Sequence, residues 1–202
     1  MSEVPTPLVS MNRLLGLAAI LGGIFWIALA FFPLVGMREA AEDEVFWSRL
    51  WTPALLGMLL GFLGLYLTQR ATFNRTARGG CVALLAGFTL MVSGNAVEYW
   101  ILNDLPHQGP DGYIRGIAWM TFLVGTLVML VATALVGFNG LKSDRIPRWL
   151  SGIFLLLFPS TIAIGFVSLH WAGVPLGIAS IAVGLSGAWS SPRGTSTNPS
   201  SD

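Results

Sequence analysis

The stretch SGNAVEYWILND, residues 93–104, places a carboxamide, a carboxylate and a phenol inside a segment otherwise fit for lipid. Asn95, Glu98 and Tyr99 are spaced i, i+3 and i+4, so a helix would present all three on one face. Hydrocarbon penalises such a face, which should turn toward a bundle interior or toward water. A carboxylate beside a phenol can bind a polar ligand or exchange a proton with one. Arg115, at the start of the following apolar run, is the natural counter-ion for Glu98. The bland alternative is a Glu98 to Arg115 pair that fixes a helical hairpin, with Asn95 and Tyr99 bonding to a neighbouring helix.

Two histidines fall in predicted loops at the same end: His107 in NDLPHQGPDGY and His170 in SLHWAG. With Glu98, Asp104 or Asp111 they offer the two-His, one-carboxylate donor set that suits Zn²⁺ or Fe²⁺. No H-E-x-x-H and no i, i+4 pair fixes ligand geometry, so no metal and no cofactor is assigned. The candidate ligand-binding set is therefore Asn95, Glu98, Tyr99, Arg115, His107 and His170, with no catalytic residue assigned.

The elements that must hold these residues follow from composition. Of 202 residues, 54% are hydrophobic and 10% charged, and the mean hydropathy is +0.71. An ordinary soluble domain carries about 25% charged residues. The apolar residues come in runs of about twenty, the length a helix needs to cross a hydrocarbon core about 30 Å thick. Six such runs are read, at 13–35, 51–69, 79–101, 115–138, 149–168 and 171–190. They are continuous and do not alternate, which excludes a barrel. The fold class is all-α: a polytopic integral membrane protein with a six-helix transmembrane domain over residues 1–190. The tail 191–202, SPRGTSTNPSSD, is rich in Ser and Pro and is expected to be disordered.

The first run exceeds the about 7–15 apolar residues of a signal peptide, so it should remain as a helix. Cys81, the single cysteine, allows no intrachain disulfide and is read as a packing residue. The net charge is +1 and the basic residues are scattered between runs, so the footprint of a nucleic-acid binder is absent.

Orientation follows from those scattered charges. Arg13, Arg70, Arg75, Arg78, Lys142, Arg145, Arg148 and Arg193 fall on one side, and Arg38, Arg49 and Arg115 on the other. Eight against three in short loops predicts cytoplasmic termini. Tryptophan prefers the interface. Trp47, Trp51, Trp100, Trp119 and Trp171 sit near predicted outer ends, Trp149 and Trp189 near inner ends, and Trp26 alone in mid-span. The first outer loop, GMREAAEDEVFWSRLW, is long enough for a short interfacial helix that could cover the outer mouth.

Because lipid tails remove the hydrophobic drive for helices to associate, packing relies on small residues. Ala54, Gly57, Gly61, Gly64 and Thr68 form one stripe, and Gly173, Gly177, Ser180, Gly184 and Gly187 another, each at alternating spacings of 3 and 4. These stripes should bury against other helices, within the chain, in a homo-oligomer or against a partner membrane subunit. Pro159 should kink the fifth helix, with Ser160 and Thr161 re-satisfying freed backbone groups.

Three function classes remain. A binding, accessory or scaffold membrane protein needs only the packing stripes and the outer polar cluster. A small-solute carrier should hold polar groups at the midplane. There the sequence places hydroxyls such as Thr89, Ser93, Thr126, Ser160, Thr161 and Ser180, which can bond back to their own helices. A membrane enzyme would have to use the outer group of Glu98, Tyr99, His107 and His170. The first class is expected, with an outward-facing polar pocket, the carrier second and the enzyme third.

Overall fold

The computed structural model describes residues 7–31, 41–71, 73–103, 110–142, 146–167 and 170–189. Six long helices follow one another: α1 (Pro7–Phe31), α2 (Ala41–Gln69), α3 (Arg75–Ala96), α4 (Pro110–Lys142), α5 (Arg148–Val167) and α6 (Val174–Trp189). A π turn, Val97–Ile101, extends α3, and a 3₁₀ turn, His170–Gly173, leads into α6. Among the described residues, five helical stretches are long and apolar enough to cross a membrane, and the sixth, Trp171–Ser186, is shorter.

Several expected boundaries move. The second helix begins at Ala41 instead of 51, so the part of the first outer loop that is described continues α2 and is not a separate interfacial helix. Met37 and Arg38 lie outside the described residues. The third run starts at Arg75, where Asn74 caps it by accepting from the Ala77 backbone N–H at 2.7 Å. The tail 191–202 also lies outside the described residues.

Both small-residue stripes meet the same helix. A Cβ on Gly57 would lie 2.8 Å from the Ala18 carbonyl, and Gly61 and Gly64 face Ala19 and Leu15. On α6, Gly177 and Gly184 press on Gly23, Ile27, Gly16 and Ile20, and the Ser180 hydroxyl donates to the Ala19 carbonyl at 2.8 Å. Gly57, Gly61 and Gly64 of the first stripe and Gly177, Ser180 and Gly184 of the second thus pack on α1 within the chain, while Thr68 is exposed and bonds back to Gly64 and Leu65. The reason lies in α1 itself, where Gly16, Ala19, Gly22 and Gly23 allow the close approach from both sides.

A third seam joins α3 and α4. Gly80, Gly87 and Gly94 recur every seventh residue, and a Cβ on Gly87 or Gly94 would meet α4 backbone at 2.7 or 2.6 Å. Gly125 returns the contact on α3, and Gly137 and Gly140 seat α5 through Ser151. Where the α1–α2–α6 group meets the α3–α4–α5 group, the contact is between large side chains. Phe62 stacks on Phe88 and Phe154, with ring centroids 5.0 and 5.9 Å apart, in a core that also holds Met58, Met91 and Met129.

Most hydroxyls bond back to their own helices, as Thr89 does to the Leu85 carbonyl and Thr126 to that of Phe122. Ser180 crosses to α1 instead, and Thr52 crosses to α3. At Pro159, Ser160 donates to the Leu156 and Leu157 carbonyls, whereas the Thr161 hydroxyl is buried without a partner. Trp26 is not isolated in mid-span. It lies five residues from the end of α1, donates its indole N–H to the Gly173 carbonyl at 2.9 Å and packs on Trp51 at 4.8 Å.

Candidate functional site

The polar cluster forms where α2 begins and α3 ends, and two local irregularities build it. Pro53 sits inside α2 and has no N–H for the carbonyl four residues earlier, that of Arg49. In α3 the helix widens, and the Leu102 N–H reaches back five residues to the Val97 carbonyl at 2.9 Å. Pro53 leaves the Arg49 carbonyl open, and the end of α3 after its π turn leaves that of Tyr99 open. The Trp100 indole donates to the Arg49 carbonyl at 3.3 Å, and Arg49 Nε donates to the Tyr99 carbonyl at 2.8 Å. The guanidinium also lies over the Trp100 ring, 5.8 Å from its centroid.

One turn deeper, the Thr52 hydroxyl donates to Asn95 Oδ1 at 2.6 Å, and both residues are buried. Asn95 thus bonds to a neighbouring helix, as in the hairpin alternative, and not to Glu98. Asn95 belongs to the regular part of α3 and points at α2. Glu98 and Tyr99 follow in the π turn, where the helical phase slips, so the i, i+3, i+4 argument fails beyond residue 97.

Arg115 is buried and serves two groups. Its guanidinium donates to the carbonyls of Leu102 and Asn103, at 3.2 and 3.4 Å, which places positive charge at the C-terminal end of α3. It also acts electrostatically on the half-buried Glu98. Arg115 thus has a capping role at the end of α3 that the sequence did not suggest.

His107, Asp104 and the side chains of Asp111 and His170 lie outside the described residues. Among the described residues, no group of three His, Cys, Asp or Glu could hold a metal ion. An open groove of about 590 Å³ runs along α4 past Leu90, Tyr113, Ile117, Met120 and Val124. It is apolar and contains none of Asn95, Glu98, Tyr99 or Arg115. Arg49, Thr52 and Trp100 are members of the cluster that residue spacing on α3 alone missed. The signal for Arg49 was available: a proline four residues on marks its carbonyl as an orphan.

No protein-family model matches the chain, and neither curated proteins nor solved structures give a significant match.

Proposed function

We propose that this chain is a multi-pass membrane protein with six spans and cytoplasmic termini, acting as a binding, accessory or scaffold subunit. The observation that carries the reading is the bonding of the polar cluster: Arg49, Thr52, Asn95 and Trp100 spend their polar atoms on the contact between α2 and α3. Five long apolar helices support membrane insertion. The sixth is short, but it runs antiparallel to α1 from Trp26 down to Gly16, which supports counting it as a span and so returns the chain to its starting side. The eight-to-three basic asymmetry supports a cytoplasmic starting side.

Within this reading half-buried Glu98 is the group left to face a polar ligand, with Tyr99 next to it in the chain, and His107 and His170 stay in the candidate set on their sequence positions alone. Asn95 is better read as a packing residue, since Thr52 already occupies its carbonyl oxygen. The test is reconstitution into lipid vesicles with solute release followed by light scattering. The scaffold reading expects release no faster than from empty vesicles. Protein-dependent release that disappears in Glu98→Gln would move the chain to the carrier class.

A further inference from the structure

We propose that the chain is built as two three-helix bodies, α1–α2–α6 and α3–α4–α5, which part at the edge where Arg49 clasps the π turn of α3. The proposal goes beyond the reading above, since it concerns movement and requires neither ligand nor reaction.

The division follows from how the helices touch. Among the described glycines, every one whose Cβ would come closer than 3.4 Å to a neighbouring element meets its own body. Gly22, Gly23, Gly57, Gly61, Gly64, Gly173, Gly177 and Gly184 bind α1, α2 and α6 together; Gly80, Gly87, Gly94, Gly125, Gly137 and Gly140 do the same for α3, α4 and α5. Backbones in such contact cannot slide without collision, so each body moves as a unit. Between the bodies the contact is through side chains, which can change rotamer.

That interface is uneven along its length. Around Phe62, Phe88 and Phe154 it is wholly apolar, and separating it would wet aromatic surface. At the Arg49 end one aromatic contact, Trp51 with Phe122 at 6.5 Å, stands beside polar ones made by Arg49, Thr52, Asn95 and Trp100, whose hydrogen bonds can be exchanged for bonds to water. Opening therefore costs less at this end than at the buried aromatic layer, which becomes the pivot. The covalent tethers allow the same movement. The connection from α2 to α3 lies at the far end, where Phe73 is buried and its N–H bonds to the Gln69 carbonyl. The bodies also meet where α5 packs on α6 and on the 3₁₀ turn before it, so the α2–α3 edge is the one that opens. A kink at Pro53 and a π turn meeting at that edge supply hinges on both sides of the latch.

The test uses the full chain in lipid nanodiscs, with Cys81→Ala and pairs of spin labels whose separations are read by pulsed electron resonance. Phe46 with Ile114 spans the two bodies at the Arg49 end, Leu14 with Leu141 spans them at the opposite end, and Phe46 with Ile24 lies within one body; all are exposed positions. In the unaltered latch each pair should give one dominant distance. Arg49→Ala should add a longer population to the Phe46–Ile114 pair alone, and Trp100→Phe should add a smaller one. Should Arg49→Ala not yield folded protein, the Trp100→Phe comparison decides by the same reading. An unchanged Phe46–Ile114 distance in the folded variants overturns the proposal, as does equal lengthening of the Phe46–Ile24 pair, which would mean general loosening.

Discussion

Arg49 and Trp100 each satisfy a need the other helix creates: the indole of Trp100 takes the Arg49 carbonyl that Pro53 leaves unbonded, while the Arg49 guanidinium lies over the Trp100 ring and bonds the carbonyl just before it. Two backbone defects that would each be costly in an apolar medium thus compensate one another. Separating them exposes both at once.

This reciprocity sets the first prediction. Arg49→Ala and Trp100→Phe should each lower the thermal midpoint in detergent. Their combined effect should be smaller than the sum, because removing either partner already disturbs the shared contact. A coupling of about 0.6 kcal/mol, the average for polar pairs between membrane helices, is the expected scale. Additive losses in a double-mutant cycle would mean that the two bonds act independently.

Thr52 and Asn95 supply a second test, since both are buried and joined at 2.6 Å. Thr52→Val removes the donor and leaves the carboxamide oxygen without it, a loss of about 1–3 kcal/mol for a buried polar group. Thr52→Val combined with Asn95→Leu removes both polar groups and should recover part of that loss. A double variant weaker than either single one would show that Asn95 has work beyond this bond.

The seams should tolerate bulk very unevenly. Gly61→Leu and Gly177→Leu drive side chains into α1 and should each cost more than the about 1–3 kcal/mol of ordinary overpacking. Gly152, also helical but with nothing within 4 Å of its Cβ position, is the control, and Gly152→Leu should leave the melting curve nearly unchanged.

Glu98 is half-buried and Arg115 is buried. Arg115→Met should destabilise by less than the about 3–5 kcal/mol of a fully buried pair, and Glu98→Gln, which removes a carboxylate from a half-buried site, should be close to neutral. Arg115→Met should be the worse of the two, because it also uncaps the carbonyls of Leu102 and Asn103. The double variant should regain part of the loss caused by Arg115→Met. Equal effects from the two single changes would argue against the capping role.

Orientation can be read by labelling single cysteines in a Cys81→Ala background. Ala71 and Tyr113 are both exposed and lie at opposite ends of the bundle. An impermeant reagent applied to intact cells should label Tyr113→Cys and spare Ala71→Cys. The reverse pattern would invert the topology.

The helices were legible because hydropathy over about twenty residues is a bulk property that no single contact alters. The stripes at Gly57–Gly61–Gly64 and Gly173–Gly177–Ser180 were legible for a related reason: a 3, 4 spacing marks one helical face whatever lies opposite. The α3 seam at Gly80, Gly87 and Gly94 escaped because large residues, Leu84 and Met91, stand between the glycines on the same buried face. The cluster at Glu98 was read only in part. The sequence showed Asn95, Glu98 and Tyr99 as neighbours on an ideal helix, but a π turn is a response to packing against α2 and α4, and no local spacing announces it. Thr52 and Arg49 are 43 and 50 residues from their partners, a separation that pattern on one helix cannot bridge.

The seating of α6 on α1 bears on how the chain is made. Within this chain α1 precedes α6 by four helices, so its Gly16 and Gly23 positions and the Ala19 carbonyl that accepts from Ser180 gain their α6 partners late. The short sixth helix, in turn, gains from α1 the purchase that its own length does not provide. The contact between α1 and α6 therefore joins helices far apart in the chain, and a chain interrupted after α5 would leave Gly16, Gly23 and the Ala19 carbonyl without the partners that α6 supplies.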